Sequence, residues 1–317
     1  MTELSHRASD LHHDVLHWYA EHARDLPWRA PGASPWAVLV SEVMLQQTPV
    51  SRVEPVWRTW MERWPTAQRL AAESPGEAVR AWGRLGYPRR ALRLHACAVA
   101  IQTGHDGRVP STEADLRGLP GIGSYTAAAV AAFAFGARTA VVDTNVRRVL
   151  ARAVSAEALP APSLNRREIA VAEEALPADP ARSVRWNVAV MELGALVCTA
   201  RSPRCDTCPI RSRCAWVQRG RPEYSGPPHR GQTWHRTDRQ CRGRLLQLVR
   251  EHDAWLPHEA FVATWPDDDA QRERCLSALV SEGLLQRHSD GPAPNAPSPP
   301  TGHTPGDGDW YGFATTS

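Results

Sequence analysis

The segment from Leu119 to Thr126 constrains the fold more than any other part of the chain. Its turn, Pro-Gly-Ile-Gly, runs directly into an alanine-rich helical stretch. A glycine-rich turn ahead of a helix presents backbone N–H groups at the helix N-terminus, where the helix dipole also favours an anion. The turn alone is weak evidence, because many helices begin after glycine-rich turns. It predicts a helical hairpin whose turn can hold one phosphate group, with a carboxylate, Asp143, following eighteen residues after Tyr125.

The length and composition indicate a soluble globular protein. A chain of 317 residues can bury a substantial core and suggests two domains or one split domain. Its hydrophobic fraction of 42% and charged fraction of 22% are typical of such proteins. The chain has no apolar run of membrane-spanning length, and residues 1–10 are polar. We therefore expect no membrane span and no signal peptide, and a cytoplasmic location.

The basic residues are all arginines. The chain has 37 Lys+Arg and none of them is lysine, while the formal net charge is only +3. This charge does not by itself indicate nucleic-acid binding. The absence of lysine has a chemical consequence, because no lysine amine is present to act as a Schiff-base nucleophile.

Helical periodicity dominates the first 215 residues, and strand signals are nearly absent. The pattern predicts an all-α fold with helices at 9–30, 35–48, 53–64, 75–85, 89–103, 113–118, 125–135, 144–154, 166–176 and 184–198. Beyond it, residues 218–237 are rich in Arg, Gly and Pro, which is typical of a linker.

The C-terminal part predicts a small separate module. Within residues 238–288, two helical patterns at 242–251 and 269–282 precede a short strand-like segment, an order similar to that of a winged-helix module. Residues 289–317 are rich in Pro and Gly, so we expect a disordered tail.

Four cysteines form a compact metal-binding pattern. Cys198, Cys205, Cys208 and Cys214 are spaced C-x6-C-x2-C-x5-C, and in a cytosolic chain such a group indicates metal rather than disulfides. Zinc is one candidate, although zinc ribbons usually contain two C-x2-C pairs and this pattern has one. Thiolates also suit iron–sulfur clusters, so the ligand chemistry alone leaves both metals open.

Two carboxylates are candidates for catalysis. Glu42 lies in an apolar helical segment, and burial there would favour its protonated form and make it a general acid. The alternative is that it faces solvent on an amphipathic helix. Asp143 follows two valines and precedes a helical segment, so N-capping is its simplest role. Capping and catalysis are compatible.

Several motifs together resemble the MutY-type adenine DNA glycosylases of the helix-hairpin-helix superfamily. The resemblance covers roughly residues 10–217 and is carried by residues 41–48 (SEVMLQQT), 82–87, 119–123, 142–150, 191–194 and the cysteine loop. It implies a two-lobed helical fold, with a six-helix barrel at about 32–140. The other lobe, at about 8–31 plus 141–217, would carry a [4Fe–4S] cluster on the four cysteines.

The resemblance also implies roles for individual residues. Glu42 would protonate the departing adenine, and Asp143 would stabilise the positive sugar centre of an oxocarbenium-like transition state. The adenine must leave the base stack to reach them. The DNA contacts would be made by Gln46, by Gln47 as the intercalating glutamine, by Tyr87 as a wedge near the orphaned base, and by Gly121 and Gly123 around a phosphate.

Tyr125 distinguishes between subfamilies. Endonuclease III-like enzymes have a lysine at this position, which forms a Schiff base and allows backbone cleavage. The tyrosine therefore predicts a monofunctional glycosylase that leaves an abasic site. The expected substrate is double-stranded DNA with adenine opposite 8-oxoguanine or guanine, bound by a monomer. The alternative enzyme is a mismatch thymine DNA glycosylase. The alternatives without glycosylase activity are a non-catalytic DNA-damage binding protein and an electron-transfer protein.

The C-terminal module differs from what the resemblance implies. Bacterial MutY-type proteins usually end in a MutT-like domain that helps to recognise 8-oxoguanine, and residues 238–288 are too short for one. We therefore expect weaker discrimination between 8-oxoguanine and guanine than in members with that domain.

Overall fold

The computed structural model describes residues 3–226, 235–252, 254–289, 291 and 308–314. Within them the chain is mostly helical, as the periodicity predicts. The helices of the first 218 residues are α1 (Glu3–His22), α2 (Pro35–Leu45), α3 (Val50–Arg63), α4 (Ala67–Ala71), α5 (Pro75–Ala81), α6 (Arg89–Gly104), α7 (Glu113–Arg117), α8 (Ser124–Phe135), α9 (Thr144–Ala153), α10 (Arg166–Glu174), α11 (Pro180–Leu196) and α12 (Ala215–Gln218). Among the described residues, none of the helices has the length and apolar character that crossing a membrane requires.

The contacts divide the chain into two units. The first comprises residues 1–38, 111–117 and 122–230, and the second comprises residues 39–110, 118–121 and 231–317. This division differs from the lobes expected from the sequence, because α7 and α8 belong to the first unit. The C-terminal module also belongs to the second unit. The boundaries at 32–140 and 141–217 stay a prediction.

The core of the first unit is formed by α1, α9, α10 and α11 together with the cysteine loop. Apolar side chains such as Leu11, Val149 and Leu193 are buried there, and Ile210 of the loop joins them. Glu192 on α11 is fully buried, and its carboxylate accepts hydrogen bonds from Arg24 and Arg29. Burial raises the pKa of Glu192, but the bonds and charges of the two arginines outweigh it and hold that pKa below its ordinary value.

The second unit is packed around tryptophans. Trp60 contacts Trp64 and Trp82 edge-to-face, with ring centroids 4.8 Å and 5.5 Å apart. The indole N–H of Trp60 donates to the carbonyl of Ala81 at 3.0 Å, and that of Trp82 to the carbonyl of Gly86 at 2.9 Å. These bonds fix the turn between α5 and α6.

The described residues of the C-terminal module form three helices and a small sheet. Its elements are α13 (Asp238–His252), β1 (Leu256–Pro257), α14 (His258–Thr264), α15 (Asp269–Ser281), β2 (Gln286–Ser289) and β3 (Asp309–Gly312). The antiparallel strands have the order β1-β3-β2. The small sheet agrees with the strand-like segment expected from the sequence, whereas the winged-helix likeness and the bounds at 238–288 stay a prediction.

The strand β3 corrects part of the expectation of a disordered tail. Residues 309–312 pair with both other strands, and Trp310, Tyr311 and Phe313 are buried. The Pro- and Gly-rich composition of residues 289–317 conceals this short aromatic segment, which becomes a strand only by pairing with distant residues. Residues 290, 292–307 and 315–317 of the tail, and residues 227–234 of the linker, lie outside the described residues.

Candidate active site and cysteine loop

The two glycines of the Pro-Gly-Ile-Gly turn that precedes α8 have different environments. Gly121 has φ +77°, and a Cβ atom there would lie 2.7 Å from the Cβ of Arg93, so the local structure itself requires glycine. Gly123 is the N-cap of α8 with φ −90°, a conformation that any residue adopts. A Cβ atom at Gly123 would have no neighbour within 4 Å. The helix N-terminus therefore has open space beside it, which suits the approach of an anion.

Asp143 is the N-cap of α9, as its sequence position predicts. One carboxylate oxygen accepts the backbone N–H of Val146 at 2.6 Å, and the other accepts the side-chain amide of Asn145 at 2.8 Å. Burial nevertheless raises the pKa of Asp143 above its ordinary value, against the opposing effect of these bonds and of the nearby Arg148 charge.

A chain of three hydrogen bonds connects Asp143 with the cysteine loop. Asn145 donates to Asp143 and accepts from the guanidinium of Arg148 at 2.8 Å. Arg148 also donates to the carbonyl of Cys198 at 2.6 Å and to that of Gly194 at 2.7 Å. A Cβ atom at Gly194 would lie 2.6 Å from that of Asn145, so glycine permits this close packing. Sequence reasoning missed the connection, although Asn145 and Arg148 are three residues apart and thus neighbours on one helix face.

The four cysteines line one cavity in the first unit, as a shared ligand would require. Apolar side chains, including Val149, Leu193 and Ile210, complete its walls. Among the described residues, no three potential ligands are already positioned to hold a single metal ion. Burial raises the pKa of the Cys208 thiol to about 12, and the other three cysteines add to the effect. A bound cationic metal centre would reverse it by stabilising the thiolates.

Arg152 is a second residue that holds the cysteine loop. Its guanidinium donates to the sulfur of Cys198 at 3.4 Å and to the carbonyl of Thr199 at 2.7 Å. It also packs over the ring of Trp216 at 5.0 Å. The residues present fit a thiolate-ligated cluster, because they combine four sulfurs, apolar walls and cationic N–H donors.

Glu42 is buried in the second unit. Glu42 is 5% exposed, and the preceding residues Val40 and Ser41 are fully buried. The alternative of a solvent-facing glutamate on α2 is therefore wrong. Asp143 and Tyr125 belong to the first unit. Tyr125, the second residue of α8, is half-buried and packs on a small cluster formed by Ala129, Ala132 and Val141.

The expected DNA-contact residues Gln47 and Tyr87 have an unusual backbone conformation. Their φ angles are +54° and +48°, in the left-handed region that non-glycine residues rarely adopt. Tyr87 is 42% exposed, although it is a large aromatic residue. Such strain persists only where the surrounding structure determines it, and it is frequent at functional sites.

Arg90 holds the loops that carry these residues. Its guanidinium donates to the carbonyls of Val43, Met44 and Gln46, at 3.0, 3.0 and 2.6 Å. It also donates to the hydroxyl of Thr48 at 2.9 Å and to the carbonyl of Gly86 at 3.0 Å, so that one buried side chain fixes both loops. Burial lowers the pKa of Arg90 to about 10. Sequence reasoning missed this residue, because its partners are main-chain carbonyls that no residue pattern reveals.

Comparison with known protein families identifies the class of protein to which the chain belongs. Residues 40–173 match the HhH-GPD superfamily of base excision DNA repair proteins, and residues 198–214 match the iron-sulfur binding domain of endonuclease III. The second match begins at Cys198 and ends at Cys214, so the expectation of a [4Fe–4S] cofactor is confirmed. The chain is thus a helix-hairpin-helix protein with an iron–sulfur loop.

Similar proteins of known activity identify the family within this class. The chain is 51% identical to the adenine DNA glycosylase of Mycolicibacterium smegmatis over 278 residues, which cover 88% of this chain and 93% of that protein. It belongs to the adenine DNA glycosylase family. This confirms the resemblance derived from the motifs.

Two solved structures are similar to this fold. A thermostable thymine-DNA glycosylase aligns with a TM-score of 0.60 and 25% identity, covering 67% of this chain and 97% of the other. An endonuclease III in a non-covalent DNA complex aligns with a TM-score of 0.58 and 21% identity, covering 70% and 100%. The latter likeness concerns the fold alone. Both agree with the expected helix-hairpin-helix architecture.

Proposed function

We propose that this adenine DNA glycosylase acts in base excision repair as a monofunctional enzyme on adenine paired with 8-oxoguanine or guanine. It hydrolyses the N-glycosidic bond and leaves an abasic site. The observation that carries the proposal is the similarity over 88% of the chain. Two carboxylates support it, Glu42, which is buried on α2, and Asp143, which is held by hydrogen bonds at the start of α9. We further expect the enzyme to bind DNA as a monomer in the cytoplasm.

Glu42 is the proposed proton donor. Adenine is a poor leaving group until its ring is protonated, so the reaction needs an acid that still carries a proton near neutral pH. Burial in α2 favours the protonated form of a carboxyl group, since its charged form loses hydration. A positioned general acid typically contributes a factor of about 10² to 10⁴ in rate.

Asp143 is the proposed stabiliser of the positive sugar centre. It must be ionised when the bond breaks, and its hydrogen bonds from Val146 and Asn145 favour that ionised form. The glycosidic electron pair leaves with the protonated adenine. Water then adds to the oxocarbenium-like centre and releases one proton to solvent, which gives the neutral abasic sugar.

Tyr125 and the composition support the monofunctional reaction. Strand cleavage through a Schiff base requires an amine, and the 37 Lys+Arg residues include no lysine. A phenol at position 125 cannot form that intermediate. The expected product is therefore an intact strand with an abasic site.

The DNA contacts are assigned to the turns described above. Gln46, Gln47 and Tyr87 enter the base stack or contact it, and the open N-terminus of α8 at Gly123 binds a backbone phosphate. Gly121 shapes that turn. The four cysteines would hold the [4Fe–4S] cluster, which supplies a rigid centre for the loop when bound.

Single-turnover base release tests the proposal. The holoenzyme is incubated with duplexes that contain A opposite 8-oxoguanine, A opposite G, or T opposite G, and products are resolved with and without alkali. We expect adenine release, strand breaks only after alkali, and no borohydride-trapped complex. Glu42→Gln should lower the rate at least about 10²-fold, whereas Glu62→Gln, at an exposed position on α3, serves as the matched control. Release of thymine but not adenine would instead assign the chain to the mismatch thymine glycosylases.

A further inference from the structure

The C-terminal module packs against α5 and α6 of its own unit through several specific contacts. Arg250 of α13 donates to the carbonyl of Val79 at 3.3 Å, and Arg89 of α6 pairs with Glu282 at 2.8 Å. Burial lowers the pKa of Arg250 to about 10. The guanidinium of Arg80 packs over the ring of Phe313 at 5.0 Å. These contacts give the module a defined position on α5 and α6.

This docking brings the start of α13 to Tyr87. The guanidinium carbon of Arg239 lies 5.0 Å from the centroid of the Tyr87 ring, and that of Arg90 lies 5.6 Å from it. Both distances are within the range of cation–π contacts. Arg239 and Tyr87 are both exposed, whereas Arg90 is buried. The module thus places a cation directly beside the candidate wedge residue.

The surface around this contact is rich in arginine. Exposed arginines of the second unit include Arg84, Arg89, Arg93, Arg236 and Arg239. Their acidic neighbours include Glu251 and Glu282, which pair with Arg84 and Arg89. Asp238, next to Arg239 on α13, pairs with Arg274. A cluster of guanidinium groups fits a polyanion, and the planar fork of arginine bonds well to phosphates and to the edge of guanine.

We propose that the C-terminal module completes the DNA-binding surface and that Arg239 contacts the guanine nucleotide opposite the excised adenine. This inference rests on the proposed function, in which Tyr87 lies next to that nucleotide. Arg239 on the ring of Tyr87 presents its N–H donors to the same nucleotide, through either its base edge or its phosphate. The module is therefore part of the DNA-binding surface of the enzyme, and whether it also contributes to specificity depends on which of these two groups Arg239 contacts.

A double-mutant cycle between Arg239 and Tyr87 tests the inference. The holoenzyme variants Arg239→Ala, Tyr87→Ala and the double variant are compared for affinity to a duplex with a non-hydrolysable adenine nucleotide, and for single-turnover rate. We expect Arg239→Ala to weaken binding about tenfold and the double variant to be no more than about twofold worse than Tyr87→Ala, because the two side chains act together. Arg244→Ala is the matched control, since Arg244 is an exposed arginine on the same helix that packs over Trp265.

Two further readouts identify the atoms contacted. If Arg239 binds the phosphate, its loss reduces the slope of log affinity against log salt by about one and leaves the ratio of 8-oxoguanine to guanine unchanged. If it binds the base edge, that ratio changes and the slope does not. Wild-type affinity in Arg239→Ala, or fully additive losses in the cycle, would overturn the inference. A wild-type enzyme that releases no adenine from any duplex would instead refute the proposed function.

Discussion

Exchanging the side chains of residues 143 and 145 separates the capping role of Asp143 from its charge. In Asp143→Asn the amide oxygen still accepts the N–H of Val146, but the amide nitrogen then faces the amide nitrogen of Asn145. Asn145 cannot turn over, because its oxygen accepts from Arg148. In the double variant Asp143→Asn/Asn145→Asp every donor again meets an acceptor. The negative charge has moved by two residues along the chain.

The hydrogen-bond geometry sets the expected stabilities. Asp143→Asn keeps the cap, since asparagine and aspartate cap equally well, but it loses one bond to a charged acceptor, about 1.5–3 kcal/mol. Part of this loss is offset, because burial disfavours the ionised form of Asp143. We expect a net loss of about 1 kcal/mol in the free energy of unfolding, a Tm shift of about 2–4 °C. The double variant should return to within about 1 kcal/mol of the wild type.

The activities should not follow the stabilities. At a separation of about 4 Å and an effective dielectric constant near 20, a charge contributes about 4 kcal/mol to stabilising a cation. This corresponds to a rate factor of about 10³. Both variants should lose this rate factor. The single variant has no carboxylate at position 143 or 145, and in the double variant the carboxylate at position 145 pairs with Arg148 rather than with the sugar.

Thermal unfolding of the cluster-loaded proteins and single-turnover adenine release measure the two properties. Asn165→Asp is the control, since Asn165 caps α10 through the same kind of bond and has no proposed role in catalysis. A double variant with the wild-type rate would refute the role of the charge at position 143. A double variant as unstable as Asp143→Asn would refute the assigned hydrogen bonds.

Three further predictions follow from the site. Because the pKa of Asp143 is raised, its protonation stabilises the fold below the unfolded-state pKa, and this contribution is lost as pH rises through the folded-state pKa. The proposed reaction needs the ionised form, so the acid limb of the pH–rate profile should lie at higher pH than it would for an exposed aspartate. Equal pH dependence of Tm in wild type and Asp143→Asn would contradict the raised pKa. Gly121→Ala should lower the unfolding free energy in urea by at least about 1 kcal/mol. Gly123→Ala should change that free energy by no more than about 0.5 kcal/mol, yet weaken DNA binding in anisotropy titrations. Equal DNA affinity in Gly123→Ala and wild type would argue against the phosphate site. Arg90→Met should lower the unfolding free energy in urea by at least about 3 kcal/mol, because each buried carbonyl left without a donor costs about 1–3 kcal/mol, and Arg90→Lys should lie between it and the wild type. A loss under about 1 kcal/mol would show that its bonds are not needed.

Local patterns predict the helices well where these are long and amphipathic or capped. The expected helix at 144–154 is α9 (Thr144–Ala153), and Asp143 caps it as its position indicates. The five-residue α4 and the seven-residue α14 are too short for periodicity to reveal. The strand β3 depends on pairing with residues twenty or more positions away, which composition cannot show.

The burial of Glu42 illustrates a different limit. Periodicity alone favours a solvent-facing glutamate at this position, and that expectation is wrong. The residues around Glu42 on α2 are nearly all apolar, so the helix has no distinct polar face. Only the tertiary structure shows that the carboxyl group is buried. The motif that carries the family resemblance therefore locates the residue, and packing determines its chemical environment.

The buried arginines show why this site depends on guanidinium groups in particular. Arg90 donates to carbonyls at the C-terminal end of α2, and Arg148 donates to carbonyls at and beyond the C-terminal end of α11. The last carbonyls of a helix lack partners within that helix, and a cation there also interacts favourably with its dipole. A planar guanidinium with five donors satisfies several of these carbonyls at once, which an ammonium group on a single carbon stem does less well. The loops that carry the candidate DNA contacts and the first cluster cysteine thus begin at helix ends that buried arginines cap, so substitution by lysine would loosen the loops even though the charge is kept.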